Sequence, residues 1–197
     1  MDGVLPKYDW LHLHHEDFTG QYGKFWHAYK NTAWYQEDVR HNEELAKQLG
    51  FSKVSQMKLA VAQKVKEFIA GGGYMFSMCS APDSFDVALA AKNVDICDVM
   101  FDGDPIEPNA QQKLNYDNCL AFTDFTISTN PHEYEISSID ATNNRNVNPE
   151  NDYFKLFDYS AKWDPVPTML TQNHENLIKG FRSEERRVGK ECTLRCR

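Results

Sequence analysis

Residues 71–91 read GGGYMFSMCSAPDSFDVALAA. Gly71, Gly72 and Gly73 stop a helix. Tyr74 to Cys79 is a nearly continuous apolar run, the pattern of a strand buried on both faces of a parallel sheet. Ser84 to Ala91 predicts a helix. Cys79 therefore falls where a strand turns into a helix, which is the geometry of a nucleophile elbow. Such a turn lifts its side chain above the sheet and crowds the positions two before and two after it, so both must be small. Here they are Ser77 and Ala81. The N-terminal dipole of the following helix favours a thiolate. The plainer alternative is that Cys79 is a small buried hydrophobe at a strand end.

Upstream of that stretch, Tyr35, Val39, Ala46 and Leu49 keep helical spacing and Gly50 suits the position after a helix. Met57, Val61, Val65, Phe68 and Ile69 form the stripe of a second helix, with Ser55 as its expected N-cap. Trp10 to His14 predicts a short strand that leads into the loop His15–Gly20. The aromatic stretch Phe25, Trp26, Tyr29, Trp34 and Tyr35 is expected to be helical or irregular, its rings against the sheet. Downstream, Val94 to Ile96 predicts a short strand and Cys119 to Ser128 a better one. Asn143 to Asn151 reads as a polar loop, and Tyr153 to Met169 as irregular or strand and loop. Strand, helix, helix, strand, helix predicts an α/β fold with a parallel three-layer α/β/α sheet.

The first strand leaves through His14, His15, Glu16 and Asp17. A loop there lies at the C-terminal edge of a parallel sheet, where α/β folds bind ligands. These four residues are the candidate ligand or oxyanion loop. His12 and His14 share one strand face and could hold zinc or another divalent ion. Their spacing matches no standard metal motif, and no metal or cofactor is assigned. His14, His15 and Glu16 converging on Cys79 would make a Cys-His-Glu arrangement. His132 and His174 read as surface residues. Asp102-Gly103-Asp104-Pro105 reads as a turn. Trp10, Trp26, Trp34 and Trp163 read as core packing rather than a groove.

The whole chain has 197 residues, 21 basic and 29 acidic, with a net charge of −8. No apolar run approaches the ~18 residues of a membrane-spanning helix. An acidic surface argues against sequence-independent nucleic-acid binding. Five cysteines without a regular framework do not suggest a disulfide scaffold. Residues 182–192 read RSEERRVGKEC and resemble the translation of a common short-read sequencing adapter. Residues 182–197 are therefore expected to be a non-native tail and are set apart from the fold. Its six basic and three acidic residues, taken from 21 and 29, leave 15 and 26, a net charge of −11. The remaining 1–181 is expected to be a fragment of one α/β domain, truncated at both ends. A sheet cut in that way exposes edges and apolar faces, so aggregation is expected.

The motif S-x-C-x-A at Ser77, Cys79 and Ala81, followed by Ala88-Leu89-Ala90, resembles the G-x-C-x-G elbow and following helix of class I glutamine amidotransferases. Longer stretches resemble a Bacteroidota family labelled "asparagine synthetase B". These are YDWLHLHHEDFTGQYGKFW, GGGYMFSMCSAPDSFDVALAA, VDICDVMFDGDP, ENDYFKLFDYSAKWDPVPTML and TQNHENL, over about residues 5 to 181. The resemblance implies a flavodoxin-like α/β domain, an export signal upstream and a Gly-Gly-His downstream. A periplasmic or cell-surface location would follow from such a signal. Residue 2 is Asp, where glutamine-dependent asparagine synthetases carry their catalytic cysteine, and no S-G-G-x-D-S loop occurs. ATP and aspartate chemistry is therefore not carried over. Ser77 and Ala81 replace both elbow glycines, and no glycine pair stands at the His14–Asp17 exit.

Three functions are expected from this, in descending order. The first is a Cys-dependent amidohydrolase of glutaminase type, in which Cys79 attacks an amide and the base lies outside the fragment. The alternative is a non-catalytic exported ligand-binding or scaffold domain that keeps the fold. A small-molecule or amide ligand is the expected partner of either. A hydrolase with its metal on HLHHED is the third and least favoured.

Overall fold

The computed structural model describes residues 5–139. Within them the chain mixes helices with a small two-stranded parallel sheet. Strand β1 (Trp10–His14) runs beside β2 (Tyr74–Met78), with Trp10 opposite Tyr74 and His14 opposite Met78. Parallel neighbours need a long crossover, and here it carries α1 (Trp26–Tyr29), α2 (Ala33–Gln48) and α3 (Val54–Ala70). After β2 come α4 (Ser80–Ala90) and the short α5 (Val99–Asp102) and α6 (Ala110–Lys113).

Helix α2 ends as its sequence predicts. Gly50 takes φ +84, its N–H donates to the Lys47 carbonyl, and that of Phe51 reaches back to Ala46. These two bonds form a Schellman cap, which the missing Cβ of glycine permits. The N-cap of helix α3 lies two residues earlier than expected. Lys53, not Ser55, is its N-cap, because the Lys53 ammonium is tied to Asp95, Asp102 and Asp104 and fixes the entry of the helix. Met57, Ala62 and Val65 face the core.

Helix α4 begins at Ser80 rather than Ser84. Pro82 does not oppose this, since in the first turn its missing N–H has no helical partner to lose. The helix is buried almost all round and joins two clusters. On one side Phe85, Ala88 and Leu89 pack with Leu13, Ala62 and Val65. On the other, Val87 and Ala90 pack with Phe122, Phe125 and Ile136. Phe85 is 1% exposed. Burial of a ring that size contributes about 2–3 kcal/mol.

Several sequence expectations are corrected. Strand β2 is not covered on both faces among the described residues. Leu11, Leu13 and Met75 face the helices, while Trp10, Tyr74 and Phe76 are exposed. Cys119 to Ser128 is not a strand. Three successive N–H groups, of Leu120, Ala121 and Phe122, donate at 2.7 Å to the buried Asp86 carboxylate. The chain wraps an anion there and cannot also extend; between described residues it pairs by an antiparallel bridge of Ile127 with Ser137. Val94 to Ile96 is not a strand either, because its polar groups are already taken: the Val94 N–H donates to the Ala91 carbonyl, and the Asp95 carbonyl accepts from the Glu107 N–H. The Asp95 N–H donates to Glu107, and its carboxylate accepts from the Cys97 N–H.

The aromatic rings pack on one another rather than on the sheet. Phe25 meets Tyr29, Trp34 and Tyr134 at 5.8, 6.3 and 5.7 Å between ring centres. Trp10 and Trp34 are surface residues, not core. Among the described residues no helix is long and apolar enough to cross a membrane. The expectations on Asn143–Asn151, Tyr153–Met169, Trp163, His174 and the tail lie outside the described residues.

Candidate functional site

Cys79 links β2 to α4 with φ 56 and ψ −130. A non-glycine residue held in such a conformation costs about 1–3 kcal/mol, and this strain clusters at functional sites. The flanking residues explain how the turn is tolerated. Ala81 is fully buried, so a longer side chain has no room. Ser77 is partly buried, and its Oγ has no hydrogen-bond partner. Cys79 itself is exposed, whereas Cys97 and Cys119 are buried. Burial pushes the Cys97 thiol well up, helped by Asp102 and Asp17, so that thiol stays neutral. The positive end of α4 points at Cys79, and the Ser80 N–H is one of the first-turn donors that have no helical acceptor.

The loop after β1 meets this turn in register. His14 and Met78 are the last paired residues, so the next in each strand are His15 and Cys79. Both take positive φ, 65 for His15 and 56 for Cys79. Adjacent strands lie about 4.8 Å apart, which sets their backbones side by side at the C-terminal edge. The four candidate loop residues then separate. The rings of His14 and His15 lie 4.0 Å apart, and both are exposed, as is Glu16. The Glu16 carbonyl accepts from Ser84 Oγ at 2.6 Å and binds the loop to α4. Asp17 turns inward and accepts from the Thr19 N–H at 2.8 Å and Thr19 Oγ1 at 2.6 Å. It shapes the loop through these two bonds.

A cleft of about 280 Å³ opens beside the elbow, lined by His15, Ser80, Asp83, Phe25, Tyr134 and Glu135 among others. Asp83 is buried and accepts from Ser137 Oγ at 2.7 Å. Behind the wall lies Lys24, 3% exposed. Its Nζ donates to the Ser128 carbonyl at 2.9 Å, to Ser128 Oγ at 3.0 Å and to the Glu135 carbonyl at 2.7 Å. Burial pulls the Lys24 ammonium down to about 8, against the attraction of Glu133, Glu135 and Asp83. Lys24 thus pins the segment carrying Tyr134 and Glu135 to the one carrying Gly23 and Phe25. Sequence reading missed this role, since a single lysine among aromatics gives no signal of burial.

A second cavity of similar volume is walled by Lys53, Asp95, Glu107 and Phe18 among others. Next to it Asp95, Cys97 and Asp102 bring their donor atoms within 4.8 Å of one another. Lys53 already pairs with both of those carboxylates and with Asp104. Burial alone would lower the Lys53 ammonium, but the hydrogen bonds it donates to Asp104, Asp95 and Asp102 hold it above its ordinary range. At the expected turn, Asp102 instead ends α5 with Gly103 left-handed at φ +93 as its C-cap, and the chain bends at Gly103 and Asp104.

The chain matches no protein-family model, no curated protein and no solved structure.

Proposed function

We propose that Cys79 is the nucleophile of an amidohydrolase centre of glutaminase type, with His15 as its proton acceptor. The observation that carries this reading is the Cys79 backbone, strained at φ 56 and ψ −130 between strand and helix. The register that sets His15 beside it supports the second half. The Cys79 sulfur attacks the amide carbonyl while its proton passes to His15. The resulting oxyanion accepts a hydrogen bond from the Ser80 N–H, the donor an elbow supplies. Collapse of the tetrahedral intermediate breaks the C–N bond, and His15 returns the proton to the departing amine. Water, deprotonated by His15, then hydrolyses the thioester and frees Cys79. The acyl group would occupy the cleft between Phe25 and Tyr134.

The same reading extends the sheet to a parallel three-layer α/β/α arrangement. Its support is the exposed Trp10, Tyr74 and Phe76 face, since parallel sheets occur almost only with both faces covered.

The test is intact-mass analysis of the full chain after incubation with activated esters and primary amides of small acyl groups. The expected result is one acyl adduct, mapped to Cys79, that forms more slowly in His15→Gln. No adduct at Cys79 with any of these acyl donors contradicts the reading. A second reading, ligand binding without chemistry, is favoured by the His14–Asp17 exit, which Asp17 and Ser84 shape in place of glycines. Retained binding of an amide with no turnover and no adduct would support it.

A further inference from the structure

His27, in α1, and His132, in the loop after Ile127, are 105 residues apart, yet their Nδ1 atoms face each other at 3.0 Å. Both side chains are exposed. An Nδ1-to-Nδ1 contact allows one bridging proton at most, because protonation of both rings turns two N–H groups against each other. The separation also has a second reading. Two imidazole nitrogens bound at 2.0–2.1 Å to one ion lie about 2.9 Å apart at a right angle and about 3.3 Å apart at a tetrahedral angle. The observed 3.0 Å falls between those values.

The pair is held from both sides. On the α1 side, the Trp26 ring packs edge-on against His132 at 5.7 Å, and Lys30 caps the other contact of Trp26 at 4.0 Å from its centre. On the loop side, the His132 N–H donates to Asn130 Oδ1 at 3.0 Å. Glu133 accepts from Ser128 Oγ and Asn130 Nδ2. The buried Lys24 then fixes Ser128 and Glu135 to the segment that leads directly into α1. Two ligands on separate segments are thus set at chelating distance before any ion arrives, which lowers the ordering cost of binding.

We propose that His27 and His132 form a two-imidazole site for a divalent ion of the zinc, nickel or copper type. Imidazole suits those ions, while calcium and magnesium prefer oxygen. Two protein ligands leave the remaining positions open to water or to an anionic ligand. The site is separate from Cys79 and does not depend on the acyl-transfer reading. Each ring binds through a deprotonated nitrogen, so the metal displaces any proton bridging the pair.

The experiment is calorimetric titration of metal-free full chain with Zn(II), repeated with Ni(II), on wild type, His27→Gln, His132→Gln and His14→Gln. The expected result is a saturable site in wild type and in His14→Gln. Each of the other two variants weakens it by at least about tenfold, the smallest loss typical even of changes around a metal site. Thermal unfolding gives a second readout: Zn(II) raises the midpoint of wild type and leaves His27→Gln and His132→Gln unmoved. Their unfolding in the absence of metal checks that both still fold. Absence of this site in wild type, undiminished binding in both variants, or a loss that follows His14 overturns the proposal.

Discussion

Cys79 is the residue where local preference and the fold disagree most. An L-residue with a side chain resists φ 56 and ψ −130, and glycine does not. Cys79→Gly is therefore expected to be more stable than Cys79→Ala by about 1 kcal/mol, as measured by urea denaturation. Equal stabilities would show that the turn holds no strain. Ser77 gives a second case. Its buried Oγ lacks a partner, and an unsatisfied buried hydroxyl costs about 1–3 kcal/mol. Ser77→Ala should raise stability by about 1 kcal/mol in the same assay, and a loss would mean that the hydroxyl is bonded. The strand-to-helix turn at Cys79 was legible because small residues at Ser77 and Ala81 frame a cysteine after an apolar run. The His15 register was not, since it depends on which strands pair.

At the scale of elements, α4 organises its surroundings. Its sequence is apolar, yet Asp83 and Asp86 are buried within it, and buried carboxylates must be partnered. Asp86 takes three backbone N–H groups. Asp86→Asn keeps one acceptor oxygen and turns an NH₂ toward those donors. It should cost about 3 kcal/mol, seen as a lower denaturation midpoint. A loss below about 1 kcal/mol would contradict the anion-wrapping role. This interaction also marks the limit of periodicity. Cys119 to Ser128 alternates like a strand, but alternation does not reveal a carboxylate already placed to take its N–H groups. Helices α2 and α3 were readable because their stripes and terminal glycines are local signals. The Lys53 cap was not, since its partners lie far along the chain.

At the scale of the whole molecule, Lys24 joins the 128–135 segment to the loop before α1 and closes the wall of the cleft. Its pKa falls from 10.5 to about 8 on folding. Between those values the unfolded chain holds more protons, so this group's contribution to stability rises with pH, by at most about 1.4 kcal/mol per unit. Burial raises Tyr35 to about 12, which lowers stability above pH 10. Comparison with Lys24→Met cancels that effect. The stability difference, wild type minus Lys24→Met, should grow from pH 8 to 10, and a flat difference would show that Lys24 is not depressed. The central claim, that Cys79 is an activated nucleophile served by His15, is tested most directly by the rate of iodoacetamide alkylation at Cys79, followed by peptide mass. The account predicts that Cys79 reacts faster than cysteine in an unfolded peptide at the same pH, and that His15→Gln slows it. A rate equal to the unfolded peptide and unchanged in His15→Gln would contradict it.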